Sequence, residues 1–176
     1  GYISMSKLFS TVGVNGINEA AEFLGIECSY NPDYTAFCQL ITSTIMQENK
    51  KHNSAKFKFN QEFVPAESLG AKNYQWDLEE GYRVNSNRVL YNSYFYIAHD
   101  DTSVLDKFRL HGKEFTSSLD GGVGLHANLQ EHLSKEQYLK LIDFAIKKGT
   151  SYFTFNVPNT QWDDSNTIFK QPLESC

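Results

Sequence analysis

The chain has 176 residues, a formal net charge of −5, and 40% hydrophobic against 21% charged residues. That length holds one domain with a sizeable core or a large piece of a bigger one, and the composition is that of a soluble globular protein. Scattered basic residues in an acidic chain argue against gripping a nucleic-acid backbone, and no apolar run nears the roughly 20 residues that span a bilayer.

Lys7 to Val14 is apolar and β-branched and reads as a strand broken by Asn15-Gly16. Asn18 suits the cap of a short helix running to Leu24 and stopped by Gly25. Asn31 followed by Pro32 opens the next helix, with Phe37, Leu40, Ile41 and Ile45 expected on its buried face. Lys50, Lys51 and His52 close it and suit its negative end. Phe57 and Phe59 alternate with Lys56, Lys58 and Asn60, the period of a half-buried strand ended by Pro65. A short helical stretch is expected at Glu67 to Leu69, and residues 72 to 90 read as a long irregular surface excursion. Residues 103 to 119 suggest a short helix and a turn. After the glycine-rich DGGVGLHANL, Ser134 and Gln137 form a capping box for a helix burying Tyr138, Leu141, Ile142, Ala145 and Ile146. Gly149 stops it, and TSYFTFNV follows as a strand with Phe153, Phe155 and Val157 on one face. The last two strands and their helix make a β-α-β unit, so they are expected to be parallel, and the class is α/β. The 14% aromatic content, 13 Phe and 10 Tyr, agrees with Phe- and Tyr-bearing strands.

Three cysteines, Cys28, Cys38 and Cys176, complete neither a disulfide framework nor a metal set, and reduced thiols in a cytoplasmic protein are expected. Cys38, beside Phe37, reads as buried and inert. The chain starts without a signal peptide or initiator methionine and stops on Cys176 just after its last strand. Both ends are expected to be cuts through a longer protein.

Four stretches carry polar groups to where chemistry is possible. In Val64-Pro65-Ala66-Glu67-Ser68-Leu69, free N–H groups at a helix start make an anion site, with Ser68 adding a donor; a plain cap is the alternative. Asp120 to His126 holds three glycines that either cradle a phosphate or pack closely, but it is neither a Walker loop nor a dinucleotide fingerprint. His126 and Asn128 share one face of their strand and either line a cleft or are structural. Thr11 to Asn18 is a glycine turn into a helix, and Asn156 and Asn159 leave the C-terminal end of the last strand, where α/β folds bind ligands.

Taken together, GYISMSKLFSTVGVNGINEAAEFLG, EFVPAESLGAKNY, LYNSYFY, LDKFRLHGKEFTSSLDGGVGLHANLQEHLSKEQY and GTSYFTFNVPNTQ resemble the anaerobic (class III, glycyl-radical) ribonucleoside-triphosphate reductases over nearly the whole chain. The resemblance implies part of a ten-stranded α/β barrel, a half-barrel with flanking helices, over residues 1–160. It implies reduction of ribonucleoside triphosphates to deoxyribonucleotides by radical chemistry, with substrate phosphates held at Pro65, Ala66, Glu67, Ser68 and Leu69. His126, Asn128, Asn156 and Asn159 would line the cleft. A glycyl radical installed by an S-adenosylmethionine/iron-sulfur activase, the remainder of the reductase chain and a homodimer are implied for the full enzyme. The radical-glycine motif is absent, and neither Cys28 nor Cys38 has the context of the thiyl cysteine, so the chain alone is expected to be inactive. Residues 161–176 correspond to the family's zinc-binding segment, degenerate and truncated. Trp162 and Ser165 stand where its first thiolate pair belongs, and Cys176 is a remnant of the second. The alternatives are a non-catalytic nucleotide-binding or interaction module derived from that barrel, and a glycyl-radical relative with a non-nucleotide substrate.

Overall fold

All strand pairings in the structure, a computed structural model describing residues 2–63, 66–97 and 102–157, are parallel. Strand β1 (Phe9–Gly13) pairs with β2 (Lys58–Phe63) from Phe9↔Lys58 to Gly13↔Glu62. β2 pairs in turn with β3 (Gly122–Val123) through Glu62↔Gly122 and Phe63↔Val123. One residue further on, β4 (Leu125–Asn128) pairs with β5 (Phe153–Asn156) from Leu125↔Phe153 to Asn128↔Asn156. Residues 122–128 therefore serve two neighbours in succession, and the change of partner falls at Gly124. A Cβ there would sit in ordinary van der Waals contact with the Tyr152 ring, at 3.4 Å. Strands adjacent in the wall are also adjacent in sequence, with helical chain between them, which is how a parallel α/β wall is built.

Helices α1 (Ile17–Phe23) and α2 (Pro32–His52) lie between β1 and β2. Helices α3 (Glu67–Glu79), α4 (Val104–Leu110) and α5 (Lys113–Thr116) lie between β2 and β3, and α6 (Lys135–Lys148) lies between β4 and β5. Local chemistry sets several of these boundaries. Asn31 Oδ1 accepts the Tyr34 N–H at 2.8 Å with Pro32 in the first turn, and Lys50, Lys51 and His52 end α2. At α6, Ser134 Oγ accepts the Gln137 N–H at 3.3 Å while Gln137 Oε1 accepts the Ser134 N–H at 2.7 Å. Gly149, at φ 74°, ends that helix in the left-handed conformation.

Four expectations are corrected. α1 starts at Ile17 with left-handed Gly16 (φ 80°) as its cap, so Asn18 is inside the helix and fully buried. Its Nδ2 donates to Tyr34 Oη at 2.8 Å, and that hydroxyl donates to the Phe95 carbonyl at 2.7 Å, pinning α1 and α2 to the core. On α2 the expected Phe37, Ile41 and Ile45 pack half-buried against the core beside buried Tyr34, Thr35, Cys38, Thr42 and Asn49, but Leu40 is 66% exposed. α3 is a 13-residue helix, so residues 72–79 are helical rather than irregular. On α6 the expected Leu141 and Ala145 are buried and Tyr138 is half-buried against Phe155, but Ile142 and Ile146 are exposed.

The core is aromatic at its centre. Phe63 stacks on Phe95 with ring centroids 4.2 Å apart, and Phe95 meets Phe115 at 5.4 Å and His111 at 5.6 Å edge-on. Phe108 sits against Phe153 and Phe155, joining α4 to β5. Residues 92–97 cross this core buried yet neither helical nor stranded. Their backbone must find partners elsewhere. The Asn92 carbonyl accepts the Gly16 N–H at 2.9 Å, and the Asn92 N–H donates to Glu19 Oε1 at 3.1 Å.

Candidate functional site

Parallel strands put all their C-terminal ends on one side, where the polar residues of interest emerge. Residues 14–16 leave β1 there, α3 begins after β2, and Asn128 and Asn156 end β4 and β5.

At the start of α3 the cap position is Ala66, which has no side-chain oxygen, and no side chain caps the helix. The first intrahelical bond runs from the Gly70 N–H to the Ala66 carbonyl at 2.8 Å. The N–H groups of Glu67, Ser68 and Leu69 therefore have no partner within the helix and sit at its positive end. Three such donors suit a phosphate-type anion. Ser68 and Leu69 are exposed; Val64, Pro65 and the Glu67 side chain lie outside the described residues.

Ser93, a residue the sequence pattern did not single out, completes the surroundings. Its Oγ accepts the Ala66 N–H at 3.1 Å and an N–H of Asn15 Nδ2 at 3.1 Å, joining the end of β1 to the start of α3. Asn15 Nδ2 also donates to the Tyr91 carbonyl at 3.3 Å. The Tyr91 N–H donates to the Gly70 carbonyl at 3.2 Å, and its hydroxyl, raised in pKa chiefly by burial, donates to Asp77. The only hint in the sequence was two small polar residues, Asn92 and Ser93, inside an aromatic run.

On β4, His126 and Asn128 do share one face, opposite buried Leu125 and Ala127. His126 Nδ1 lies 2.9 Å from Thr154 Oγ1, and Asn156 Nδ2 donates to Asn128 Oδ1 at 2.9 Å. The register Asn128↔Asn156 places these amides side by side at the strand ends. Tyr96, from the same buried segment as Ser93, donates its hydroxyl to the His126 carbonyl at 3.4 Å. Asn159 lies outside the described residues.

The glycine-rich loop has the packing role. A Cβ on Gly121 would fall 2.7 Å from the Gln61 carbonyl oxygen, which accepts the Gly121 N–H at 2.8 Å. Asp120 Oδ1 accepts the Gln61 N–H at 2.9 Å, so this loop fastens β3 to β2. An open cleft of about 1010 Å³ lies between α1, α3 and residues 83–91, bordered by Asn15, Glu19, Trp76, Arg88 and Tyr91. Arg88 pairs there with Glu22.

Cys38 is fully buried, and burial pushes its thiol up to about 12, so it stays protonated and inert. Cys28 donates to the Asn18 carbonyl at 3.3 Å. Among the described residues no group of three His, Cys, Asp or Glu could hold a metal ion. The implied zinc also lacks a fitting donor set in the tail, which lies outside the described residues. Trp162 and Ser165 carry no thiolate, leaving Cys176 as the one sulfur ligand. Among the described residues no helix is long and apolar enough to cross a membrane.

Comparison with curated proteins finds no match. Among solved structures, the chain superposes on the anaerobic ribonucleotide reductase from Thermotoga maritima in complex with dATP and CTP, with a TM-score of 0.73 and 26% identity. That match covers 85% of this chain and 26% of the other. A second structure of the Thermotoga maritima enzyme, with MES in its active site, gives 27% identity and a TM-score of 0.73 over 85% of this chain and 26% of that one. A further anaerobic ribonucleotide reductase gives 27% identity and a TM-score of 0.72 over 86% and 25%. The chain thus spans about a quarter of these enzymes, and its parallel wall is similar to part of their α/β barrel. The family profile of the anaerobic ribonucleoside-triphosphate reductase matches residues 2–176, and the chain belongs to that family.

Proposed function

We propose that the chain supplies barrel wall and the substrate-phosphate site of an enzyme that reduces ribonucleoside triphosphates to deoxyribonucleotides. The observation that carries this reading is the start of α3, where the N–H groups of Glu67, Ser68 and Leu69 are uncapped beside the end of β2. They would bind phosphate oxygens through hydrogen bonds and the helix dipole, holding the ribose in place and adding affinity without chemistry of their own. Pro65 would precede this turn, and the backbone of Ala66 is already committed to Ser93. His126, Asn128, Asn156 and Asn159 would line the rest of the cleft as hydrogen-bonding groups toward the sugar and base.

The radical step needs a glycyl radical and a thiyl cysteine, and the residues of this chain do not fit either. No radical-glycine motif is present, and Cys38 is buried and protonated. The proposed full reductase therefore draws that chemistry from the remainder of its polypeptide and from an S-adenosylmethionine/iron-sulfur activase. It acts as a homodimer in the cytoplasm. Calorimetric titration of CTP into the chain and into a Ser68→Glu variant, which sets a carboxylate beside the three N–H groups, tests the phosphate site. The expected result is binding by the native chain and marked weakening in the variant. Equal binding by both, or none by either, removes the site.

A further inference from the structure

We propose that the Ser93 hydroxyl is a fourth donor of the α3 anion site, adding an O–H to the N–H groups of Glu67, Ser68 and Leu69. The inference rests on the phosphate-site reading above and adds a ligand-binding residue to it.

Ser93 is only 3% exposed, and its Oγ receives two hydrogen bonds, from the Ala66 N–H and from Asn15 Nδ2, each at 3.1 Å. Both are donors. The Asn15 amide cannot be turned around, because the same nitrogen faces the Tyr91 carbonyl at 3.3 Å, and a carbonyl only accepts. A hydroxyl oxygen has two lone pairs and one proton. With both lone pairs filled, the proton must point away from Asn15 and Ala66. Among the described residues none accepts it. A buried O–H left without an acceptor costs about 1–3 kcal/mol, a cost that a ligand oxygen at this spot would remove.

The other serine caps show how unusual the arrangement is. Ser134 and Ser103 use their oxygens on N–H groups inside their own helices, at Gln137 and Asp106. Ser103 then donates its proton to Asp106 Oδ2 at 2.8 Å. Ser93 instead reaches α3 from a different segment and takes the N–H of the cap residue alone. The three helical N–H groups have no partner within α3, and the Ser93 oxygen lies 3.1 Å from the nitrogen of the residue just before them. The serine is also held in place. Glu19 Oε1 accepts from both the backbone and the side chain of Asn92, at 3.1 and 2.6 Å, and Tyr91 is tied to Gly70 and Asp77 on α3. A donor fixed before the ligand arrives contributes more than one that must be ordered on binding.

The test is calorimetric titration of inorganic tripolyphosphate and of CTP into the native chain and its Ser93→Ala and Ser93→Thr variants, with urea unfolding of each without ligand. Ser93→Ala is expected to weaken both probes about tenfold or more, and Ser93→Thr, which keeps the hydroxyl, to bind within about twofold of native. If Ser93→Ala does not fold, the near-isosteric Ser93→Cys, a weak donor, is expected to show the same loss. Native affinity in Ser93→Ala or Ser93→Cys, even with reduced stability, identifies a purely structural serine and overturns the proposal. Equal weakening by alanine and threonine overturns it as well. If the Ser68→Glu variant loses affinity while every Ser93 variant binds normally, the α3 site stands and the fourth donor falls. No binding by the native chain removes both.

Discussion

Gly70 sits in the first turns of α3, where general propensity and this particular packing predict opposite outcomes for Gly70→Ala. In an ordinary helix the change stabilises by about 1 kcal/mol. Here a Cβ would overlap the Tyr91 carbonyl oxygen and lie 3.3 Å from its carbonyl carbon and 3.4 Å from Asn15 Nδ2. The 91–93 segment would have to retreat by on the order of 1 Å to restore normal contact. Such overpacking costs about 1–3 kcal/mol, and loss of the Tyr91 N–H to Gly70 carbonyl bond adds about 1 kcal/mol. Set against the propensity gain, Gly70→Ala is expected to destabilise by about 1–3 kcal/mol, lowering the melting temperature by roughly 3–10 °C in a chain of this size. Retreat of the segment also moves Ser93 off Ala66, so CTP affinity should fall with stability. Gly25→Ala is the control: φ is +75° and nothing lies within 4 Å of the added carbon, so it should cost stability and leave CTP binding unchanged. A Gly70→Ala chain that melts at or above the native temperature with native CTP affinity would refute the packing argument.

Ser134→Ala removes one half of the α6 capping box and should cost about 1 kcal/mol by urea unfolding; no change would mean that the box is incidental. Burial holds the His111 imidazole down to about 4 from its ordinary 6.5, with its ring among Tyr94, Phe95 and Tyr96. The unfolded chain therefore binds the proton more readily. The contribution is fully present above about pH 6.5 and is lost as pH falls toward 4, reaching on the order of 3 kcal/mol. His111→Phe should flatten the difference between urea midpoints at pH 5 and pH 7, and an unchanged difference would count against His111 as the source. Cys38, raised to about 12 by burial, should resist iodoacetamide at pH 8 in the folded chain and react once unfolded; rapid native-state labelling would contradict it. The chain alone, after anaerobic activation, should reduce no ribonucleotide and carry no stoichiometric zinc, checked by product assay and elemental analysis. Turnover would contradict the reading that the radical groups lie outside this chain, and one zinc per chain would contradict the reading of residues 161–176.

Where a local signal and the tertiary structure agreed, the elements were legible to within a residue or two. α2 and α6 are examples, each with a side-chain cap at the front and basic residues at the back. The parallel pairing of β4 with β5 followed from a strand-helix-strand unit of the right length. α3 was largely missed because its buried contacts are Gly70 and Tyr74, and no apolar stripe repeats along it. What holds it is not its own periodicity but residues 85–93. Tyr74 Oη donates to the Asn85 carbonyl at 3.2 Å, and Tyr91 packs edge-on to Tyr74 at 5.9 Å. Asn18 misled for a related reason. Its side chain is suited to a cap, but a glycine two residues earlier could adopt the left-handed turn that Tyr91 and Asn92 require.

The candidate site divides along the same line. Pro65 to Leu69 and the alternation of His126 and Asn128 are short-range patterns, and a helix start or a strand face can be read from a few neighbouring residues. Ser93 cannot be found that way, because its role is defined by Asn15, 78 positions away, and Ala66, 27 positions away. The buried run 92–97 pairs with no strand among the described residues. Asn92 bonds to Glu19 of α1, the Phe95 carbonyl accepts from Tyr34 of α2, and Ser93 Oγ accepts from Asn15 at the end of β1, so those elements sit at fixed heights around it. That arrangement links fold to function. The same bonds that satisfy a buried irregular backbone also set where α3 begins, and therefore where its three open N–H groups point. Loosening the segment at any anchor, whether Glu19, Gly70 or Tyr34, should reduce stability and anion affinity together, whereas Ser93 should be separable, lowering affinity by more than its stability loss accounts for.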